Sequence, residues 1–355
     1  MNHIYEREKF LMRAVVLTGI GQLEVQDVLE PKVRNENDVL LKINAVGICG
    51  SDTHYYKTGR IGDQIIEYPF VFGHECSATV QEIGTGVDRV KIGDNVVVDP
   101  AMSCHQCDQC ASGRPHTCRQ LQFLGCPGQA SGCLSDYIVM PQESCYPTKG
   151  KISLEQGVIC EPLSIGIYAV RQADLKPGQT YAILGLGPIG LCCLLAAQAE
   201  GFRNCYMTEK IPERIKVVEE VSSNWVGNPE ECNVVDEILK MEPQGVDVVF
   251  ECAGEQETID QAVNIIKPGG KIMLIGIPRT ETISIEIHNF RREEGALITV
   301  RRQNNCTQRA IDMIADSEID VDFMITHRFS LEETRKALDI VSGYQDGVVK
   351  AIINI

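Results

Sequence analysis

Four cysteines, Cys104, Cys107, Cys110 and Cys118, stand in the pattern C-x2-C-x2-C-x7-C, in a segment that also carries Gly113 and Pro115. Thiolates at this spacing, with no apolar periodicity between them, suit one tetrahedral zinc ion better than a hydrophobic core, two disulfides or four unrelated thiols. Such a site is coordinatively closed. Its expected job is to hold together a lobe at about residues 100–120 whose own sequence buries little, so reactive chemistry must be sought elsewhere. Two other clusters offer it: Gly47-Ile48-Cys49-Gly50-Ser51-Asp52-Thr53-His54, and Gly73-His74-Glu75. Cys49, His74 and Glu75 supply a thiolate, an imidazole and a carboxylate, a three-ligand set that leaves zinc an open fourth position. One thiolate and one carboxylate offset the charge of the ion and leave a Lewis acid. A third cluster, Cys160-Glu161-Pro162, adds a carboxylate that either ligates this metal or holds its water. The expectation is two zinc ions per chain, one reactive and one structural.

A different chemistry is written in Gly185-Leu186-Gly187-Pro188-Ile189-Gly190, which follows an apolar strand-like run and opens a helical stretch. In that context the first glycine makes a turn and the second lets backbone approach a pyrophosphate. The third lets helix and strand pack closely, and the helix N-terminus adds partial positive charge. Glu209 lies nineteen residues beyond Gly190, where a carboxylate accepts hydrogen bonds from both ribose hydroxyls of NAD and repels the extra phosphate of NADP. NAD is the expected cofactor. Lys210 and Arg214 argue the other way, because cations beside that acid would neutralise a phosphate; Arg214 is counted with the cofactor-binding residues.

The elements that must position these groups change character along the chain. From Met12 to about Val98 short β-type runs such as Val39 to Ile43, Ala78 to Val80 and Asn95 to Val98 are punctuated by glycine, which reads as a mostly antiparallel β lobe. From about Glu161 to Thr299 apolar strands alternate with glycine turns and helical stretches, with Tyr181 to Leu184, Cys205 to Thr208, Val246 to Phe250 and Lys271 to Ile275 as the candidate strands. That rhythm predicts a parallel sheet with crossover helices, hence an α/β fold. Two helical stretches, Cys306 to Ala315 and Leu331 to Val341, precede a terminal β run from Val348 to Ile355 that is expected to return to the first lobe.

Composition sets the outer limits. A chain of 355 residues with 44% hydrophobic content supplies cores for two domains. The net charge of −16 disfavours nucleic acid and anionic membranes as partners, since both are bound through Lys and Arg. Tyr181 to Ala199 carries no charge and is as long as a membrane helix. Gly185, Gly187, Pro188 and Gly190 break it, however, so a buried strand, turn and helix are expected instead. The segment Met1 to Arg13 lacks the apolar run of a signal peptide. Sixteen cysteines in a chain of this length, with Cys192 and Cys193 in an apolar run, read as core thiols and metal ligands of a cytoplasmic protein.

These motifs together resemble the zinc-dependent medium-chain dehydrogenases, most closely the sorbitol (L-iditol) and xylitol dehydrogenase branch. The likeness runs from Met12 to Ile355. It rests on Gly47 to His54, on the continuation His54 to Asp63, on Gly73 to Glu75, on the four-Cys lobe, on Cys160 to Ser164, on the glycine motif and on Thr326 to Phe329. It implies a GroES-like β-rich catalytic domain from residues 1–160 and 300–355, and a doubly wound Rossmann domain from residues 161–299. It also implies that Cys49, His74 and Glu75 hold catalytic zinc, that Asp52 accepts a hydrogen bond from the far nitrogen of His74, and that Ser51 and His54 relay a proton outward. Tyr55, Phe123, Glu161 and Arg301 match substrate-pocket positions. The implied reaction is oxidation of a secondary alcohol of a polyol or sugar derivative by NAD, in a homo-oligomer, tetramer or dimer. Two departures bear on the substrate: Arg302 stands where sorbitol dehydrogenases carry tyrosine, and Cys126 where they carry threonine. A second guanidinium suits a carboxylate or phosphate, which keeps a sugar acid or sugar phosphate open as substrate, beside a solvent-facing role for Arg302. Threonine or simple alcohol oxidation on the same fold, and a non-catalytic zinc-binding relative, are the further alternatives.

Overall fold

The computed structural model describes residues 10–219, 223–278 and 280–355, so most of the Met1 to Arg13 segment lies outside the described residues. The β lobe is built on a seven-stranded sheet. Its order is Cys145–Pro147, Asn95–Val98, Glu75–Ile83, Asp38–Gly47, Lys350–Asn354 and Ile325–Ser330, with Tyr137–Pro141 also pairing with Asp38–Gly47. The strand Lys350–Asn354 runs antiparallel to Asp38–Gly47, with Ile352 opposite Gly47, so the chain returns to its first lobe as the sequence indicates. A smaller sheet of Leu11–Gly19, Gln22–Leu29 and Phe70–Val71 packs beside it.

The second lobe is a six-stranded sheet in the order Trp225–Gly227, Cys205–Thr208, Tyr181–Leu184, Val246–Glu251, Ile266–Leu274 and Ala296–Thr299. All its pairings are parallel. Tyr181–Leu184, Cys205–Thr208 and Val246–Glu251 are buried at every position, as a parallel sheet covered by helices on both faces requires. The chain winds outward from Tyr181–Leu184 in one direction, then crosses to Val246–Glu251 and winds outward in the other. The crevice at that reversal is where doubly wound sheets bind ligands. Cys192 and Cys193 are fully buried in this core. Among the described residues no helix is long and apolar enough to cross a membrane.

One element joins the lobes. The helix Leu154–Ala173 starts at a reciprocal cap, in which Ser153 Oγ accepts from the Gln156 amide at 3.1 Å and Gln156 Oε1 accepts from the Ser153 amide at 2.9 Å. Val158, Ile159, Leu163 and Ile167 enter a core that also holds Ala45 and Val97 of the first lobe and Leu191 and Phe250 of the second. The boundary expected between residues 160 and 161 therefore falls in the middle of a helix. Beyond the expected return at residue 300, Ala310, Ile311, Met313 and Ile314, on the helix Thr307–Ala315, pack into this same core. The two helices together cover the seam between the lobes.

Candidate active site

The lobe at residues 103–120 is mostly loop, with one helix of four residues, Asp108–Ala111. Its four cysteines bring their sulfurs within 4.8 Å of one another. The Cys107 Sγ lies 3.6 Å from Cys110 Sγ and 3.8 Å from Cys118 Sγ, and Cys104 Sγ lies 4.0 Å from Cys110 Sγ. A tetrahedron of thiolates at zinc has edges of about 3.8 Å, given Zn–S bonds of about 2.3 Å, so the donor set fits a zinc ion. Backbone amides of Cys104 and Gln120 point at the Cys118 sulfur at 3.2 and 3.3 Å. Those of Arg119 and Cys110 draw the Cys107 pKa down to about 6, which favours the thiolate that binds metal. The lobe is fastened to the joining helix through His116, whose Nε2 lies 3.0 Å from the Tyr168 hydroxyl.

The second donor set is assembled from strand ends. Gly47, at the end of Asp38–Gly47, stands directly opposite Glu75 in the sheet. A Cβ at Gly47 would lie 2.3 Å from Glu75 Oε2 and 2.7 Å from Val158 Cγ1, so glycine is what admits the carboxylate. Two residues on, Cys49 caps the helix Gly50–Thr58. His74 follows Gly73, whose backbone is left-handed at φ +92°. The donor atoms of Cys49, His74 and Glu75 all lie within 4.8 Å of one another, a set that fits zinc with a position to spare. Burial would lower the His74 pKa, but Cys49 and Asp52 outweigh it and hold the imidazole well above its ordinary value. The cluster therefore attracts positive charge.

Asp52 departs from expectation. It is fully buried, and its Oδ2 accepts from the Cys49 amide at 2.9 Å. Its Oδ1 stands 3.7 Å from His74 Nδ1, outside hydrogen-bond range, and has no partner. Capping the helix that begins at Cys49 holds the carboxylate back from the imidazole. Burial raises its pKa, against the pull of His74 and the Cys49 amide.

Glu161 lies on the joining helix, buried, with its pKa pushed up to about 7 by desolvation against the opposing charge of His74. It is not one of the three residues whose donor atoms converge. Lys350, absent from the sequence reading, donates to Glu75 Oε2 at 2.5 Å and to the Ile48 carbonyl at 3.2 Å. A lysine in the apolar run Val348 to Ile353 was the signal for it, since a buried ammonium demands a buried anion. Ser51 and His54 sit three residues apart on the helix Gly50–Thr58, both partly exposed, a spacing that puts them on one helical face.

The pocket wall mixes expected and unexpected residues. Tyr55 is buried, and its hydroxyl donates to Gln64 Oε1 at 3.3 Å and meets Cys126 Sγ at 3.9 Å. The Phe123 ring lies 5.4 Å from the His74 ring. Arg301, expected in the pocket, is exposed. The guanidinium over Phe123, 3.6 Å from the ring centroid, belongs to Arg302. Arg302 takes a left-handed backbone, φ +54°. It is partly buried, with Nη1 fully so, which speaks against the solvent-facing alternative.

At the glycine motif, Gly185 has φ +97°. A Cβ on Gly190 would fall 2.0 Å from the Gly185 carbonyl oxygen, the close packing the third glycine permits. Gly187 caps the helix Pro188–Ala199, with Pro188 at its first position. Glu209 ends its strand with Oε2 accepting from the Leu186 amide at 2.8 Å, and Oε1 from the Lys210 and Ile211 amides at 2.8 and 3.0 Å. The nearby cations are engaged: Lys210 Nζ lies 2.9 Å from Glu257, and Arg214 donates twice to the Val348 carbonyl while its Nη1 stands 3.9 Å from Glu209 Oε2. Arg214 Nη1 still faces the turn, 3.5 Å from where a Gly187 Cβ would lie. Cys192, on the helix that follows the motif, is close enough to Lys350, Glu75 and Glu161 for their charges to act on its thiol. The nucleotide turn and the metal cluster thus share one neighbourhood.

Two stretches of the chain match known protein families. Residues 35–150 match the alcohol dehydrogenase GroES-like domain, and residues 188–316 match the zinc-binding dehydrogenase domain. A sorbitol dehydrogenase of Bacillus subtilis (strain 168) is 32% identical over 96% of this chain and 97% of its own. An L-idonate 5-dehydrogenase of Vitis vinifera is 34% identical over 90% of this chain and 88% of its own. A zinc-binding dehydrogenase of Sinorhizobium meliloti 1021, solved bound to NADP, superposes with a TM-score of 0.89 at 31% identity over 98% of this chain and 100% of that one.

Proposed function

The chain belongs to the zinc-binding alcohol dehydrogenase family, and from that premise we propose that it moves a hydride from a secondary alcohol of a polyol or sugar derivative to NAD. One observation carries the reading. The donor atoms of Cys49, His74 and Glu75 converge within 4.8 Å beside a wall, Tyr55 and Phe123, whose hydroxyl and ring are suited to a small polar substrate. When bound there, zinc supplies Lewis acidity that makes a substrate hydroxyl more acidic, and the nicotinamide supplies the hydride acceptor. The rest is the work of the chain's own side chains. Ser51 accepts the hydroxyl proton and His54, on the same helical face, passes it outward. Glu161, its pKa near neutrality, holds a proton or a water at the open side of the cluster. Buried apolar neighbours, Ile48, Val158 and Leu163 among them, keep bulk water from the reacting carbon.

NAD is favoured over NADP by Glu209. Three amides fix its carboxylate at the strand end, while Glu257 and the Val348 carbonyl take up Lys210 and most of Arg214. The relative solved with NADP makes the comparison of both cofactors part of the test. A second zinc, held by Cys104, Cys107, Cys110 and Cys118, stabilises the lobe without reacting. None of the sixteen cysteines is in a disulfide, in keeping with a cytoplasmic enzyme; a homo-oligomer is what the family resemblance suggests.

The experiment is reduced-cofactor formation by the purified, zinc-loaded protein, with NAD and NADP separately, against hexitols, pentitols, their sugar acids and phosphates, and L-threonine. Turnover of polyols or their derivatives with NAD, abolished by Cys49→Ala in a protein that still folds, is the expected result. Normal turnover by Cys49→Ala would sink the metal assignment, and turnover of L-threonine alone would sink the polyol one.

A further inference from the structure

Arg302 has a buried nitrogen with no direct partner. Its guanidinium lies flat against Phe123, 3.6 Å from the ring centroid, and Phe123 in turn borders the His74 ring at 5.4 Å. This stacking fixes the plane and position of the group. Its Nη1 is buried and has no hydrogen-bond partner. Among the described residues no carboxylate comes within 4.0 Å of its nitrogens.

The surrounding polar groups are accounted for otherwise. Asp99 accepts from the Ala101 amide, Gln303 Nε2 and Thr307 Oγ1. The Tyr55 hydroxyl is taken up with Gln64 and Cys126. Glu161 influences Arg302 only through its charge, and Arg301 opposes it. A partly buried, oriented guanidinium with an unpaired Nη1 suits a planar or tetrahedral anion better than a hydroxyl, since its parallel N–H donors match carboxylate and phosphate oxygens. Arg301, beside it, is exposed.

We propose that the substrate carries an anionic group, a carboxylate or a phosphate monoester, at the end remote from the reacting hydroxyl, and that Arg302 receives it. This rests on the dehydrogenase reading and narrows it to sugar acids or polyol phosphates. The Phe123 ring touches both groups, 3.6 Å from the Arg302 guanidinium and 5.4 Å from the His74 ring, so an anion at Arg302 belongs to the same substrate as a hydroxyl at the cluster. The guanidinium then selects by charge, and the flat ring beneath it sets how far from the metal cluster that charge must lie.

The test compares wild type, Arg302→Gln and Arg302→Lys on a hexitol, the matching hexonate and the matching hexitol phosphate. The first readout is kcat/KM; the second is calorimetric binding of hexonate and hexitol phosphate to the zinc-loaded protein. The expected result is at least a tenfold preference of wild type for an anionic substrate over the hexitol. Arg302→Gln should then lose at least tenfold more on the anion than on the hexitol, mainly through KM, with Arg302→Lys between. Whichever anion shows the larger loss identifies the group. Equal losses on charged and neutral substrates, or a wild-type preference for the hexitol, would overturn the proposal while leaving the dehydrogenase reading intact. If no alcohol is oxidised with either cofactor, that reading fails, and the binding arm decides alone. Anion affinity that falls in Arg302→Gln keeps the receptor, and affinity that does not fall removes it.

Discussion

The ammonium of Lys350 lies 2.5 Å from Glu75 Oε2, and both side chains are 1% exposed. Burial alone would lower the lysine pKa, but Glu75 and Cys49 raise it above its ordinary value. A carboxylate of the Cys49–His74–Glu75 cluster is thus held by a cation from the far end of the chain. Replacing Lys350 by Met strands a buried carboxylate, a loss of about 3 kcal/mol or more. Metal-free Lys350→Met should therefore melt well below metal-free wild type. Zinc should raise its melting temperature by more than it raises that of wild type, because the metal substitutes for the ammonium. Equal zinc-induced shifts in the two proteins would refute the coupling.

Gly47 tests the same carboxylate sterically. A Cβ built at Gly47 comes 2.3 Å from Glu75 Oε2 and 2.7 Å from Val158 Cγ1, so Gly47→Ala is expected to displace the Glu75 carboxylate. Metal analysis should fall from two zinc ions per chain toward one, with the four-Cys site retained. Two ions per chain in Gly47→Ala would show that the cluster tolerates the methyl group.

At the closed site the effect should reverse. Cys107→Ser removes one of four sulfurs that lie within 4.8 Å of one another. The loop they bind has only two short helical turns of its own, Asp108–Ala111 and Pro115–Thr117, so its order depends on the metal. We expect loss of one zinc, early proteolysis within residues 103–120 and a melting temperature lower by roughly 5 °C or more. A protein that keeps wild-type protease resistance after Cys107→Ser would show the lobe to be self-supporting.

Glu209→Gln keeps the shape of the side chain and removes its charge. If the charge is what excludes a 2′-phosphate, the ratio of kcat/KM for NAD over NADP should fall at least tenfold, about 1.4 kcal/mol. An unchanged ratio would move cofactor choice elsewhere, Arg214 being the nearest candidate.

What could be read from the sequence was local. The strands Tyr181–Leu184 and Cys205–Thr208 are uninterrupted apolar runs between glycine and polar breaks, and the glycine motif and Cys spacing each carry their chemistry in a few adjacent residues. What could not be read depends on partners distant in sequence or on side-chain direction. Lys350 and Glu75 are 275 positions apart. The joining helix hides Glu161 in a run whose Pro162 suggests a break, although the fold accommodates it within the helix. That Arg302 rather than Arg301 stands over Phe123 is a matter of which of two adjacent arginines faces inward, which no pattern of residue types announces. Asp52 was given one role and has another, because helix capping competed for its oxygen.

The pairing of Lys350–Asn354 with Asp38–Gly47 also has a meaning in time. During synthesis the glycine motif, the cysteine lobe and all three converging ligands emerge from the ribosome before the lysine that neutralises Glu75. Until that strand inserts between Asp38–Gly47 and Ile325–Ser330, the sheet has an open lane and the cluster an unanswered charge. Reactivity is thereby reserved for chains that have been made through to the closing strand, and a chain interrupted earlier would have every recognisable motif and still lack a finished centre.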